Sequence, residues 1–170
     1  MNAQWFHVFL FVHLIAVAFW LGGMLFTAGV LVPVSRKKLF LPFRGALFTQ
    51  MGTLFSRISW AMFLLLVCTG VGMLLGKGFP VGDLLSAGFW GSPYGETLIG
   101  KLHLFSLMLV ISGVHDFWLG PKAARWMEES PDSGRTERLR RTAGWVGRVN
   151  LILGLAILWY AVQLSRGGMG

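Results

Sequence analysis

Four histidines are the side chains in this sequence best suited to chemistry, and they occur in two pairs. His7 and His13 lie in one long apolar stretch, and His103 and His115 lie in another. Ionisable side chains in apolar stretches of membrane length are costly, and they normally face the interior of a helix bundle. Each histidine is therefore a candidate ligand of a metal or cofactor.

The overall composition excludes an ordinary soluble protein. Hydrophobic residues make up 55% of the 170 residues and charged residues only 13%, whereas a soluble domain has about 25% charged residues. The single cysteine, Cys68, excludes an intrachain disulfide and a multi-cysteine metal site, and we expect it to be buried. The net charge of +8 is typical of basic membrane-protein loops, so nucleic acid is not an expected partner.

Four apolar segments carry the histidines and position them. Residues 1–35 contain no Asp, Glu, Lys or Arg, and three further uncharged runs cover 58–76, 102–114 and 149–165. With their flanks, they predict spanning helices at about residues 5–32, 51–75, 97–119 and 142–165, because a span needs about 20 apolar residues. The sequence therefore predicts an all-α integral membrane four-helix bundle that forms one domain over residues 1–170. We expect the lipid bilayer to surround this bundle.

The loops between the spans differ in charge and predict an orientation. Four basic residues and no acidic residue lie in the first loop, six basic residues lie in the third, and Lys77 is the basic residue of the second. The positive-inside bias then places loops one and three in the cytoplasm and both termini on the other side. In a bacterium this is a multi-pass inner-membrane protein with periplasmic termini. We expect the second loop, 79–96, to form an aromatic cap and the polar segment 128–141 to be mobile.

The predicted helices place His13 and His103 at the same depth. The first and third spans run in the same direction, and each histidine lies about five residues before the middle of its span, or about 7–8 Å from the midplane at a rise of 1.5 Å per residue. Two imidazoles at one depth can bind one haem iron between bundle helices. We therefore predict His13 and His103 as axial ligands of a haem b, with Lys101 placed to pair with a propionate.

The other two histidines do not form such a pair. His7 lies near the outer interface on a different face, and His115 lies about 18 Å further along the third helix than His103. Both are more typical of hydrogen-bonded interior residues, so we expect one haem rather than two. The methionines show no clustered spacing and are expected to pack in the core.

Charged and polar residues also meet near the cytoplasmic ends of the spans. Arg57, His115, Asp116, Arg148 and Asn150 lie at comparable depth on the second, third and fourth helices. An unpaired charge at this depth would be costly, so we expect Asp116 and the two arginines to form a network. A structural role is the more common one for such a cluster, and a functional role is the alternative.

Several motifs resemble a known family. The first helix contains His13 and then Trp20-Leu-Gly-Gly, the second begins Phe55-Ser-Arg, and the third begins Ser92-Pro-Tyr-Gly and continues to Gly100-Lys101. This pattern resembles the membrane domain of the copper-resistance protein D (CopD) family over most of the four spans. It is also similar to HemJ-type membrane proteins, and that resemblance implies haem b and protoporphyrinogen oxidase activity.

Four functions remain open on these grounds. The principal prediction is a bis-histidine cytochrome b in electron transfer, served by redox partner subunits or a quinone, because two imidazoles leave no open iron position. The first alternative is a copper transport or resistance protein, in which imidazoles and thioethers bind copper. The third is a HemJ-like oxidase, and the fourth is a structural subunit. The sequence defines neither a catalytic residue nor an oligomeric state.

Overall fold

The computed structural model describes residues 3–79, 81–130 and 133–169, and throughout these ranges the chain is helical apart from short turns. Four helices are long and apolar enough to cross a membrane, and we refer to them as the first to fourth spans: Gln4–Ser35, Lys38–Gly76, Pro93–Ala123 and Gly134–Ser165. The predicted all-α architecture with four spans is confirmed. The spans extend beyond their predicted limits because the apolar criterion misses solvated helix ends.

Three of the spans contain more than one type of helix. The first span consists of α-helix Ala3–Phe26, π-helix Thr27–Leu31 and α-helix Val32–Ser35, and the second of 3₁₀-helix Lys38–Phe43 and α-helix Arg44–Gly76. The third span contains α-helix Pro93–Val114 and π-helix His115–Leu119 and runs into α-helix Gly120–Glu129. The fourth span is the single α-helix Gly134–Ser165. Two short helices, Val81–Leu84 and Ala87–Trp90, lie between the second and third spans.

Neighbouring spans are antiparallel and pack through small residues. Phe9 lies against Gly72 and Phe55 lies against Gly23, so the start of the first span adjoins the end of the second. Tyr160 packs in the same way against Gly100, where the third and fourth spans meet. The first span also contacts the fourth. Small residues let membrane helices approach closely, and here they determine where the large rings fit.

The hydrophobic core lies in the middle of the bundle. Its buried members come from the first three spans: Ala16, Trp20, Leu21, Phe63, Leu66 and Met108. The Phe63 ring is at its centre and contacts the rings of Trp20, Trp60 and Phe105 at centroid distances of 5.4, 5.5 and 6.2 Å. Large apolar side chains cover the outer surface of all four spans, as contact with lipid requires.

The sulfur-containing residues divide between core and surface. Met108 is fully buried, and Met24 and Met62 pack around the same core, which confirms the expected packing role for these methionines. Cys68 is exposed, so the expectation that it is buried is wrong. Phe63, Leu66 and Thr69 define the buried face of the second span, and Cys68 points away from it.

The second loop forms the expected aromatic cluster. Phe79 contacts Phe89 and Tyr94 at centroid distances of 5.1 and 5.4 Å, and the Lys77 ammonium lies 4.7 Å from the centre of the Tyr94 ring. Gly95 is buried directly against the Phe89 carbonyl. A glycine is needed at this point because the short helix and the third span touch through their backbones.

The segment between the third and fourth spans is more ordered than the sequence predicts. The fourth helix begins at Gly134, so the expectation of a mobile loop over 128–141 is wrong for its second half, while residues 131 and 132 lie outside the described part. The Ser133 hydroxyl accepts a hydrogen bond of 3.1 Å from the Thr136 amide and caps the helix. Such a cap stabilises a helix end irrespective of its hydropathy.

Substitution of Gly95 should therefore weaken the bundle. Gly95→Ala introduces a Cβ that would overlap the Phe89 carbonyl, and overpacking of this kind costs about 1–3 kcal/mol. We expect a lower thermal unfolding midpoint in detergent. Gly88→Ala is the matched control because a Cβ there meets nothing within 4 Å, and equal stability of both variants would contradict the packing described.

Candidate functional site

His13 is held by the second span, in the half of the bundle away from the basic loops. Its Nδ1 lies 2.8 Å from the Thr69 hydroxyl oxygen, and that hydroxyl donates its own hydrogen to the Leu65 carbonyl at 2.6 Å. The hydroxyl oxygen must then accept a hydrogen bond from His13 Nδ1–H. This assigns the proton to Nδ1 and leaves the lone pair of Nε2 available to a ligand.

Lys101 lies within electrostatic range of this imidazole. Its side chain is half-buried in the third span. No Asp or Glu within the described ranges forms an ion pair with Lys101. The His13 site therefore combines an oriented imidazole with a nearby cation that has no acidic partner among the described residues.

His103 belongs to a different surface of the third span. Two residues correspond to about 200° of rotation on an α-helix, so His103 faces away when Lys101 faces His13. His103 is exposed and lines a shallow outward groove with Trp90, Ile99, Leu102 and Ser106. The structure thus places Lys101 within electrostatic range of His13, and haem ligation by His13 and His103 stays a prediction.

His7 lies about one and a half turns before His13 in the first span. Its side chain is exposed, and its ring stands edge-on to Phe6 at a centroid distance of 5.8 Å. His7 therefore lies at the bundle surface, whereas His13 enters the interior.

Asp116 is the centre of a second polar site near the basic loops. Its Oδ2 accepts hydrogen bonds from the Ser56 hydroxyl at 2.7 Å and from the Trp60 indole at 3.1 Å. Its Oδ1 lies 2.8 Å from Nδ1 of His115. Both side chains lie at the start of the π-helix His115–Leu119, a distortion that occurs frequently at functional sites.

The expected network of Asp116 with Arg57 and Arg148 is wrong. Both arginines are exposed, and Arg148 lies over the Trp145 ring at 4.9 Å. The ion-pair partner of Asp116 within the described chain is His115. Residues at one depth can point in different directions, and a long arginine side chain reaches water more cheaply than it enters the bundle.

Asn150 joins the third and fourth spans through a neutral pair. Its amide nitrogen donates to the Ser112 hydroxyl at 2.9 Å, about one helical turn closer to the core than Asp116. The buried Asn150 Oδ1 and Ser59 Oγ have no hydrogen-bond partner in the described part of the protein. The sequence interpretation singled out Asn150 but missed Ser56, Thr69 and Ser112, although hydroxyl residues within spans commonly serve as such partners.

These sites define the class: a small multi-pass membrane protein with one polar site around His13 and another around Asp116, on either side of an apolar core. Within the described residues, no three His, Cys, Asp or Glu side chains are grouped to hold a metal ion. An ion at the His13 site would therefore need ligands of other types in addition to His13.

The chain belongs to the copper resistance protein D (CopD) family, whose model matches residues 49–164. The matched region includes Lys101 and Asp116, and His13 precedes it. An uncharacterized protein of Aquifex aeolicus (strain VF5) is 32% identical over 162 residues, which cover 94% of this chain and 95% of that relative. No solved structure matches the chain significantly.

Substitutions at the Asp116 site test whether its partners are Ser56 and Trp60 or the two arginines. Asp116→Ala removes the acceptor of Ser56 and Trp60, and unsatisfied buried donors cost about 1–3 kcal/mol. Thermal unfolding in detergent should show this loss, whereas Arg57→Ala should change the stability by at most about 0.5 kcal/mol because Arg57 is exposed. A large loss of thermal stability in Arg57→Ala would instead support an ionic network between Asp116 and the arginines.

Proposed function

We propose that this protein handles copper in the membrane, with His13 as a ligand of the ion on the outer side of the core. Family membership supports the copper-related function. The observation that carries the assignment to His13 is its geometry, because Thr69 fixes Nδ1–H and leaves Nε2 as a donor. Metal-binding histidines are typically oriented by such a second hydrogen bond.

The core offers the type of ligand that reduced copper prefers. Ala16 and Leu66 lie one turn inward from His13 and Thr69, and both belong to the core that surrounds the Met108 thioether. Soft thioether ligands select Cu(I). A Cu(I) ion bound at His13 would therefore meet thioethers toward the middle of the bilayer.

The positive charge of Lys101 favours binding of Cu⁺ over Cu²⁺ at the His13 site. Its ammonium repels Cu²⁺ with twice the Coulomb energy that it exerts on Cu⁺ at the same distance. It also limits how tightly the site holds either ion. Weak binding of Cu(I) suits a protein that passes its cargo on.

Copper binding by purified protein tests this proposal. Cu(I) affinity is measured by competition with a chromophoric chelator. It should fall by about tenfold or more in His13→Ala, which removes the ligand. A similar loss is expected in Thr69→Val, because loss of the partner that orients a metal-binding histidine typically costs about 10–100-fold in affinity. His103→Ala is the matched control and should bind as the wild type does, because His103 faces outward. Equal losses in His13→Ala and His103→Ala, or no Cu(I) binding by the wild type, would reject the proposal.

Haem b is the second candidate cofactor, and Lys101 is the observation that favours it. A half-buried ammonium with no acidic partner among the described residues suits a haem propionate, and His13 fits as one axial ligand. His103 does not fit as the second within one chain, since it lies on the face opposite to Lys101. Electron transfer and HemJ-like oxidase activity both depend on this haem, and the visible spectrum of the same purified samples decides for or against it.

We also propose an orientation, in which both termini are periplasmic in a bacterial inner membrane. The positive-inside bias of the first and third loops supports it. Alkaline phosphatase fused after the last residue should then be active, and the same enzyme inserted at Ser133 should be inactive. The opposite pattern would reverse the assignment of the His13 site to the outer side.

A further inference from the structure

Arginine side chains cluster around one carboxylate at the end of the bundle that carries the basic loops. Glu137 Oε1 accepts a hydrogen bond of 2.9 Å from Arg141 Nε, and Glu137 Oε2 lies 3.8 Å from Arg140 Nη1. Arg44 interacts electrostatically with Arg36, Arg140 and Glu137. In this arginine cluster, three guanidinium groups (Arg44, Arg140 and Arg141) thus share a single carboxylate, and Arg36 adds a fourth positive charge near Arg44.

Arg44 is the member of the cluster with an unmet hydrogen-bond requirement. Its Nε is buried and has no acceptor among the described residues, while its guanidinium lies 5.7 Å from the centre of the Phe48 ring. A buried donor without an acceptor is costly. The excess positive charge and the orphaned donor both call for an anion with several oxygens.

The surroundings of the cluster are those of a lipid headgroup region. Tryptophan side chains are enriched at the membrane–water interface. At this end of the bundle three of them carry a cation over the ring: Trp118 with Lys122 at 4.8 Å, Trp126 with Arg135 at 4.4 Å and Trp145 with Arg148 at 4.9 Å. The arginine cluster therefore lies at the level where phospholipid phosphates are present.

We propose that the arginine cluster binds a phosphate group, presented by the headgroup of an anionic phospholipid. The planar guanidinium donates two parallel hydrogen bonds to phosphate oxygens. A zwitterionic headgroup carries a cation next to its phosphate, and the excess charge of the cluster disfavours it. Glu137 competes with the phosphate for the same donors.

Lipid retention tests this inference independently of copper. Native mass spectrometry of the full chain, released from detergent with equal amounts of phosphatidylglycerol and phosphatidylcholine, should show at least about fivefold more bound phosphatidylglycerol. Arg44→Gln should reduce this preference about fivefold, and Glu137→Gln should increase it. Arg166→Gln, an exposed arginine at the opposite end of the bundle, is the control and should retain the wild-type preference.

The opposite signs of the two variants separate the test from folding defects, because a damaged bundle would not gain selectivity for phosphatidylglycerol over phosphatidylcholine. Equal retention of both lipids by the wild type would overturn the proposal, as would equal losses in Arg44→Gln and Arg166→Gln. A thermal shift with inorganic phosphate distinguishes the source of the group. Stabilisation by inorganic phosphate without retention of phosphatidylglycerol would overturn the headgroup as the ligand.

Discussion

A polar side chain inside a membrane span has no lipid group to bond, so most such side chains here take their partners from a neighbouring span. This constraint orders the whole bundle, because each pair of consecutive spans is tied by one polar link. The links are His13 to Thr69, Asp116 to Ser56 and Trp60, and Asn150 to Ser112. Apolar packing alone gives little discrimination between registers in lipid, since lipid tails are as apolar as leucine. The polar links therefore fix the depth and rotation of the helices.

The same links divide the interior into two polar sites with an apolar barrier between them. His13 and Lys101 lie on one side, Asp116 and its partners lie on the other, and the ring of Phe63 and the thioether of Met108 occupy the middle. Under the proposed copper function, a soft ion would exchange imidazole for thioether ligands as it enters this core.

Hydropathy and charge predict the four spans and the all-α fold because both follow from the cost of placing polar groups in lipid. Rotation about each helix axis is harder to predict, because it depends on which neighbour supplies the partner. Lys101 and His103 illustrate this, because they lie at similar depth but about 200° apart around the helix axis. Depth also pairs Asp116 with Arg57 and Arg148, whereas its hydrogen-bond partners are Ser56, Trp60 and His115. The helical start at Gly134 was missed because its stabilising cap is local and polar.

The facing of Lys101 toward His13 is the central claim, and crosslinking of paired cysteines tests it most directly. Cys68 is exposed, so Cys68→Ser provides a cysteine-free background. In membranes treated with a short bifunctional thiol reagent, the pair His13→Cys with Lys101→Cys should crosslink, and the pair His13→Cys with His103→Cys should not. Crosslinking of the second pair without the first would contradict the account and would place His103 at the site.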